Sequence, residues 1–286
     1  MSTKKAIGIS FVAIFILIIA QIIAQVIASV FVIIKIPYGI CNIIAGIIYV
    51  GLTHLILKMF ISKIVKLPVS DFGMPKFEIK IRWILIAILL PCIIKGIYVL
   101  IFNGEYVSSN MNGNEIFNTL SAGVAFTGIA AGFVEQMVFR GVILNALKKR
   151  WNMKVAVIVP SMLFGIVHVL GQDFSIGSCL LVIIAGTMVG VMFSMIAIES
   201  GSVWNSGIVH AIWNIVIIGG GLAIGEKMDP YSVMTYVLDS KVFAITGGEF
   251  GIESSVISLI GYIIVAGIAF IMIKSNRKNL YDGLKM

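Results

Sequence analysis

Eight apolar runs constrain this chain more than any other feature. A helix that crosses a bilayer must keep roughly 20 predominantly apolar residues in hydrocarbon. The runs cover about residues 6–34, 39–62, 83–102, 115–147, 152–170, 176–198, 203–224 and 251–273. The first is too long for a signal-peptide core and has no convincing small-residue cleavage site, so it is read as a span. Composition agrees: only 12% of the 286 residues are charged, against about 25% in soluble domains. The expectation is an all-α fold, a polytopic membrane helix bundle of about eight transmembrane helices, forming one membrane-embedded domain over residues 1–286.

The basic residues orient the bundle. With the N-terminus inside, four inner segments collect Lys4 and Lys5; Lys63, Lys66, Lys76, Lys80 and Arg82; Lys148, Lys149, Arg150 and Lys154; and Lys274, Arg277, Lys278 and Lys285. The outer loops hold only Lys35, Lys227 and Lys241. Fifteen against three is a strong positive-inside bias. The expectation is a multi-pass protein of the cell membrane with both termini cytoplasmic. The net charge of +8 is then explained by membrane lipids, whose anionic headgroups attract basic loops, and no nucleic-acid partner is implied. Cys41, Cys92 and Cys179 lie in apolar runs without metal-type spacing and are read as inert thiols. The outer stretch near 225–250 is read as loop or interfacial helix.

Against this background one stretch stands out, "GFVEQMVFRGVIL" at 132–144. It places Glu135 and Arg140 inside an apolar run, where a charge costs at least a few kcal/mol. Of the thirteen acidic residues, Glu135 is the only one deep in a span, about 20 Å from the inner end marked by Lys148. Arg140 lies nearer that end and can snorkel inward. Two of the three histidines reach a similar depth: His168 in the fifth span and His210 in the seventh, with Asn214 one turn beyond His210. The third, His54, has no polar partner nearby in sequence and is read as packed. His210 and Asn214 are i, i+4 and share a face. Gln136 and Arg140 are also i, i+4, so the Gln136 amide oxygen can accept from the guanidinium. Glu135 and Arg140, about 140° apart on an α-helix, are expected to face different neighbours.

A carboxylate beside a neutral imidazole can hold and deprotonate a water. A second imidazole and an amide can donate to the oxyanion that forms on an attacked carbonyl. The set therefore points to hydrolysis. Glu135, His168 and His210 are equally the ligand inventory of a catalytic zinc site, although the H-E-x-x-H signature is absent. Interhelical glue is the simplest alternative, and a proton-carrying transporter a weaker one.

At these residues the chain resembles the CPBP intramembrane proteases, the Abi family, which includes type II CAAX prenyl endopeptidases and bacteriocin-processing or immunity proteins. "EQMVFRG" matches the first motif through Glu135 and Arg140. "SMLFGIVHV" matches the second through Phe164 and His168, and "GSVWNSGIVHAIWN" the third through His210 and Asn214. The family-like core covers about 115–224. The resemblance implies that Glu135 with His168 activates water, that His210 and Asn214 form the oxyanion site, and that Arg140 holds the end of its helix through polar contacts. Gln136 departs from the pattern, standing where the family usually has a second Glu. The implied activity is endopeptidase cleavage of a peptide or lipid-modified protein substrate near the membrane, glutamate-dependent and without a bound metal. Zn2+ at Glu135, His168 and His210 is the alternative cofactor. A non-catalytic immunity factor or scaffold is the alternative function.

Overall fold

The computed structural model describes residues 1–283, with side chains as far as Asn276. Lys285 lies outside the described residues, and Arg277 and Lys278 are described in backbone alone. Eight main helices form the bundle: α1 (Thr3–Ile33), α2 (Tyr38–Met59, continued by a wider π turn Phe60–Val65), α3 (Ile81–Ile101), α4 (Gly113–Lys148), α5 (Met153–Val167), α6 (Ile176–Ser200), α7 (Val203–Ile218) and α8 (Val256–Gly283). Many of their residues are Ile and Val, which are weak helix formers in water. In hydrocarbon every backbone group must bond within the segment, so the helix is imposed regardless.

Six of the eight are long and apolar enough to cross a membrane. The other two, α5 and α7, have 15 and 16 residues. The polytopic bundle is as expected and the count of about eight is approximate, since the two short helices, which end in or contain His168 and His210, fall below full span length.

The packing uses small residues so that backbones approach closely. Along α1 a stripe of Ala6, Ala13, Ala20, Ala24 and Ala28 is buried. Between α5 and α6, Gly165 meets Gly186, and a Cβ on Gly186 would lie 2.5 Å from the Gly165 Cα.

The ends of the bundle differ in chemistry. At one, the terminal ammonium of Met1 donates to the Lys149 carbonyl at 3.5 Å, and Arg150 Nε donates to Thr3 Oγ1 at 2.8 Å. Lys149 pairs with Asp71 at 2.8 Å, and Arg82 with the buried Glu199 at 2.6 Å. The basic segments before residue 277 thus gather at one end. The opposite end carries a three-stranded sheet of β1 (Gly104–Ser108), β2 (Leu222–Gly225) and β3 (Met234–Leu238), in the order β1-β3-β2. β1 pairs antiparallel with β3 (Tyr106↔Tyr236) and β2 runs parallel to it (Ile224↔Tyr236). The 225–250 stretch is therefore partly strand. Its β-rich "MTYVL" was the available signal, and its partner β1 comes from the α3–α4 connection.

Candidate active site

Glu135 sits in a five-residue α segment of α4, Gly132–Gln136, flanked by two π stretches, Ala122–Ala131 and Met137–Ile143. Such i→i+5 turns often mark functional positions, and here they set geometry. A π turn returns to nearly the same side after five residues, which brings Arg140 against Phe164, a residue that also lines the chamber of Glu135. Glu135 shares a chamber with that ring, and the Arg140 guanidinium carbon lies 4.4 Å from the ring centroid. The two still meet different neighbours: Glu135 faces His210 Nε2, and Arg140 packs among Phe139, Phe164 and Phe193.

Arg140 itself does not snorkel. It is 1% exposed, and its three guanidinium nitrogens have no hydrogen-bond partner among the described residues. Three rings surround it, Phe164, Phe193 and Phe139, at 4.4, 5.3 and 5.7 Å. Cation–π attraction, strongest where water is excluded, replaces the polar contacts expected of it. Arg140 is absent from the lining of the chamber.

Nor does Gln136 reach Arg140. It turns to α7, where its amide nitrogen lies 3.0 Å from His210 Nδ1. An amide NH2 can only donate. That contact therefore assigns the imidazole proton to Nε2, which points at Glu135 Oε2 from 3.9 Å. The separation is too long for a direct hydrogen bond and suits one bridging water. Glu135 Oε2 has no hydrogen-bond partner among the described residues.

His168 caps the end of α5. Its Nδ1 donates to the Phe164 carbonyl at 2.6 Å. Since a carbonyl only accepts, Nε2 is left as the free acceptor. Asn214 Nδ2 donates to the Thr127 carbonyl of α4 at 2.9 Å, and a second N–H of the same amide remains.

Glu135, Phe164, His168, His210 and Asn214 line one chamber of about 170 Å3. They come from α4, α5 and α7. Ile218, Phe250 and Glu253 line it too, and the same three residues line a vestibule of about 760 Å3 at the sheet end. The mouth is therefore at the end away from the basic residues. The short α5 and α7 stop before filling that side. His54 lies elsewhere, with its ring 5.8 Å from that of Trp204.

One chamber residue escaped the sequence reading. Glu253 precedes α8 and counts as a loop acid by position. Its Oε1 accepts from Trp213 Nε1 at 3.1 Å. The only available signal was an acid at the edge of an apolar run.

The donors do not fit a metal as arranged. Among the described residues no three His, Cys, Asp or Glu side chains are grouped to hold one.

Fold and chamber together define a class: a polytopic helix bundle holding a carboxylate, two imidazoles and an amide around one cavity inside its apolar body. The family model for type II CAAX prenyl endopeptidases, Rce1-like, matches residues 117–216, and Glu135, Arg140, Phe164, His168, His210 and Asn214 all lie within that match. Over those residues the chain is similar to a family of intramembrane CAAX proteases, and the apolar helices make it a multi-pass membrane protein. No curated protein and no solved structure matches it.

Proposed function

We propose that this chain is an intramembrane endopeptidase that cleaves a membrane-associated or lipid-modified peptide or protein with water activated by Glu135 and His168. The observation that carries the proposal is the unpaired Glu135 Oε2, 3.9 Å from His210 Nε2 in a chamber shared with His168. A water held by Glu135 and the free Nε2 of His168 gives its proton to the carboxylate. The hydroxide attacks the scissile carbonyl carbon, and the negative charge goes to the carbonyl oxygen. His210 Nε2–H and the remaining Asn214 N–H are the donors for that oxyanion, a contribution typically worth 10²–10³ in rate per donor. Gln136 keeps His210 in the donating tautomer, so it supports the oxyanion site without a charge of its own. Arg140 acts from behind Phe164, fixing that ring and hence the turn that ends in His168.

Purified protein in proteoliposomes, given a quenched peptide ending in an S-farnesyl cysteine and three further residues, tests the reading beside the same peptide without lipid. Cleavage of at least one is expected, undiminished by a strong zinc chelator. Chelator-sensitive activity that returns with added zinc would replace the metal-free mechanism. No cleavage of either would favour the immunity-factor or scaffold reading.

The positive-inside rule makes the basic end cytoplasmic, so the vestibule opens to the outside. In a cysteine-free background, Tyr231→Cys, at a position 81% exposed, is expected to react with an impermeant maleimide on intact cells. Lys66→Cys, at the basic end, is expected to react only after lysis. The reverse pattern would turn the protein over in the membrane.

A further inference from the structure

We propose that Glu253 is a second catalytic carboxyl, the acid that protonates the leaving amine; this rests on the hydrolase reading of the chamber. Water activation accounts for one proton transfer only. When the C–N bond breaks, the departing nitrogen needs a proton, and Glu135 holds the one taken from water. The usual second acid of the motif is replaced by Gln136, which is bound to His210. The chamber nevertheless contains another carboxyl, delivered by the segment before α8 and outside the matched residues 117–216.

Its surroundings suit the role. Trp213 follows His210 by three residues on α7, so its indole sits on the same side of the helix. Trp213 Nε1 can only donate, so Glu253 Oε1 is the acceptor, at 3.1 Å. A proton on the neutral acid is therefore carried by Oε2, which makes no hydrogen bond among the described residues. The Tyr262 hydroxyl donates to the Glu253 backbone carbonyl at 2.9 Å, and the Tyr262 ring packs edge-on against Trp213 with centroids 5.1 Å apart. Both ends of the residue are thus fixed. Burial raises the Glu253 carboxyl above the usual carboxylate range, opposed by the Trp213 hydrogen bond and by His168, and reinforced by Glu135. Tyr262 faces it as well, and the vestibule side carries Glu226, Lys227, Asp229, Lys241 and Glu249.

Atoms and charges close. Water adds to the carbonyl carbon as Glu135 takes its proton. The tetrahedral intermediate collapses, the C–N bond breaks, and the nitrogen takes the Oε2 proton of Glu253. A carboxylic acid and an amine leave. The proton on Glu135 then returns to Glu253 through chamber water, and both carboxyls are reset. Glu253 also lines the vestibule, so the amine product leaves past the group that made it neutral.

The test compares two quenched peptides of one sequence, one with an amide at the cleaved bond and one with an ester, whose alkoxide leaves more readily. Glu253→Gln keeps an oxygen that can accept from Trp213. The expected result is a fall in kcat of about 10²–10⁴ on the amide, the usual span for general acid catalysis. On the ester the loss should shrink to below tenfold. The alkaline limb of the pH–rate profile, which reports loss of the acid's proton, should disappear in the variant. Glu253→Asp should restore part of the amide activity. Equal losses on amide and ester would show a structural role and overturn the proposal, as would unchanged amide activity. Wild-type protein inactive on both peptides would instead bring down the hydrolase reading, and this proposal with it.

Discussion

Glu135→Gln is expected to lower peptide cleavage by about 10⁴-fold, the upper end of what a general base contributes. The substitution keeps size and shape and removes the proton acceptor. It should leave folding intact, because Glu135 Oε2 makes no hydrogen bond among the described residues that the amide would break. Single-turnover cleavage in proteoliposomes measures the effect, and thermal unfolding of the detergent-solubilised protein controls for stability. A variant within tenfold of wild type would end the assignment of Glu135 as base. A matching loss of thermal stability would instead point to a packing role.

Gly132→Val should be nearly as damaging by a different route. A Cβ at Gly132 would lie 2.7 Å from both the Cα and the N of Ala211. That contact is backbone, and no rotamer change relieves it, so α4 and α7 must separate. Overpacking of this kind typically costs 1–3 kcal/mol, occasionally more. The larger effect is catalytic, because Ala211 adjoins His210. A misplacement of about 1 Å can cost 10²-fold, so activity should fall by about that factor or more while the protein still inserts. Gly8→Val, where nothing lies within 4 Å of the new Cβ, is the matched control and should retain full rate. Equal activities for the two variants would show that the α4–α7 approach does not position the site.

The residues that meet in the chamber were legible because they are anomalies of solvation. A Glu, two His and an Asn at similar depth in apolar runs have few explanations, and helical spacing gave the facing of His210 and Asn214. The partners of Gln136 and Arg140 were not legible, because the i, i+4 rule presumes 3.6 residues per turn. Nothing in "EQMVFRG" announces a π turn, which is set by how α4 fits its neighbours. Glu253 was hidden for a related reason. It is separated from Trp213 by 40 positions, and only tertiary packing brings a loop acid to an indole. The sheet escaped because its strands come from connections on either side of the matched segment, and a lone strand of four or five residues is not identified by its own periodicity.

The lengths of α5 and α7 bear on how a polar bond could reach this chamber at all. At 15 and 16 residues they rise about 22 and 24 Å, short of a hydrocarbon thickness of roughly 30 Å. The shortfall lies on the vestibule side, where the chamber opens. Lipid tails do not wet the polar ends of such helices, so a helix shorter than the hydrocarbon lets water follow it inward. For the proposed peptide substrate, desolvation would then be confined to the chamber of about 170 Å3. Under the proposed function, two short helices would spare a substrate part of the crossing to the reacting groups.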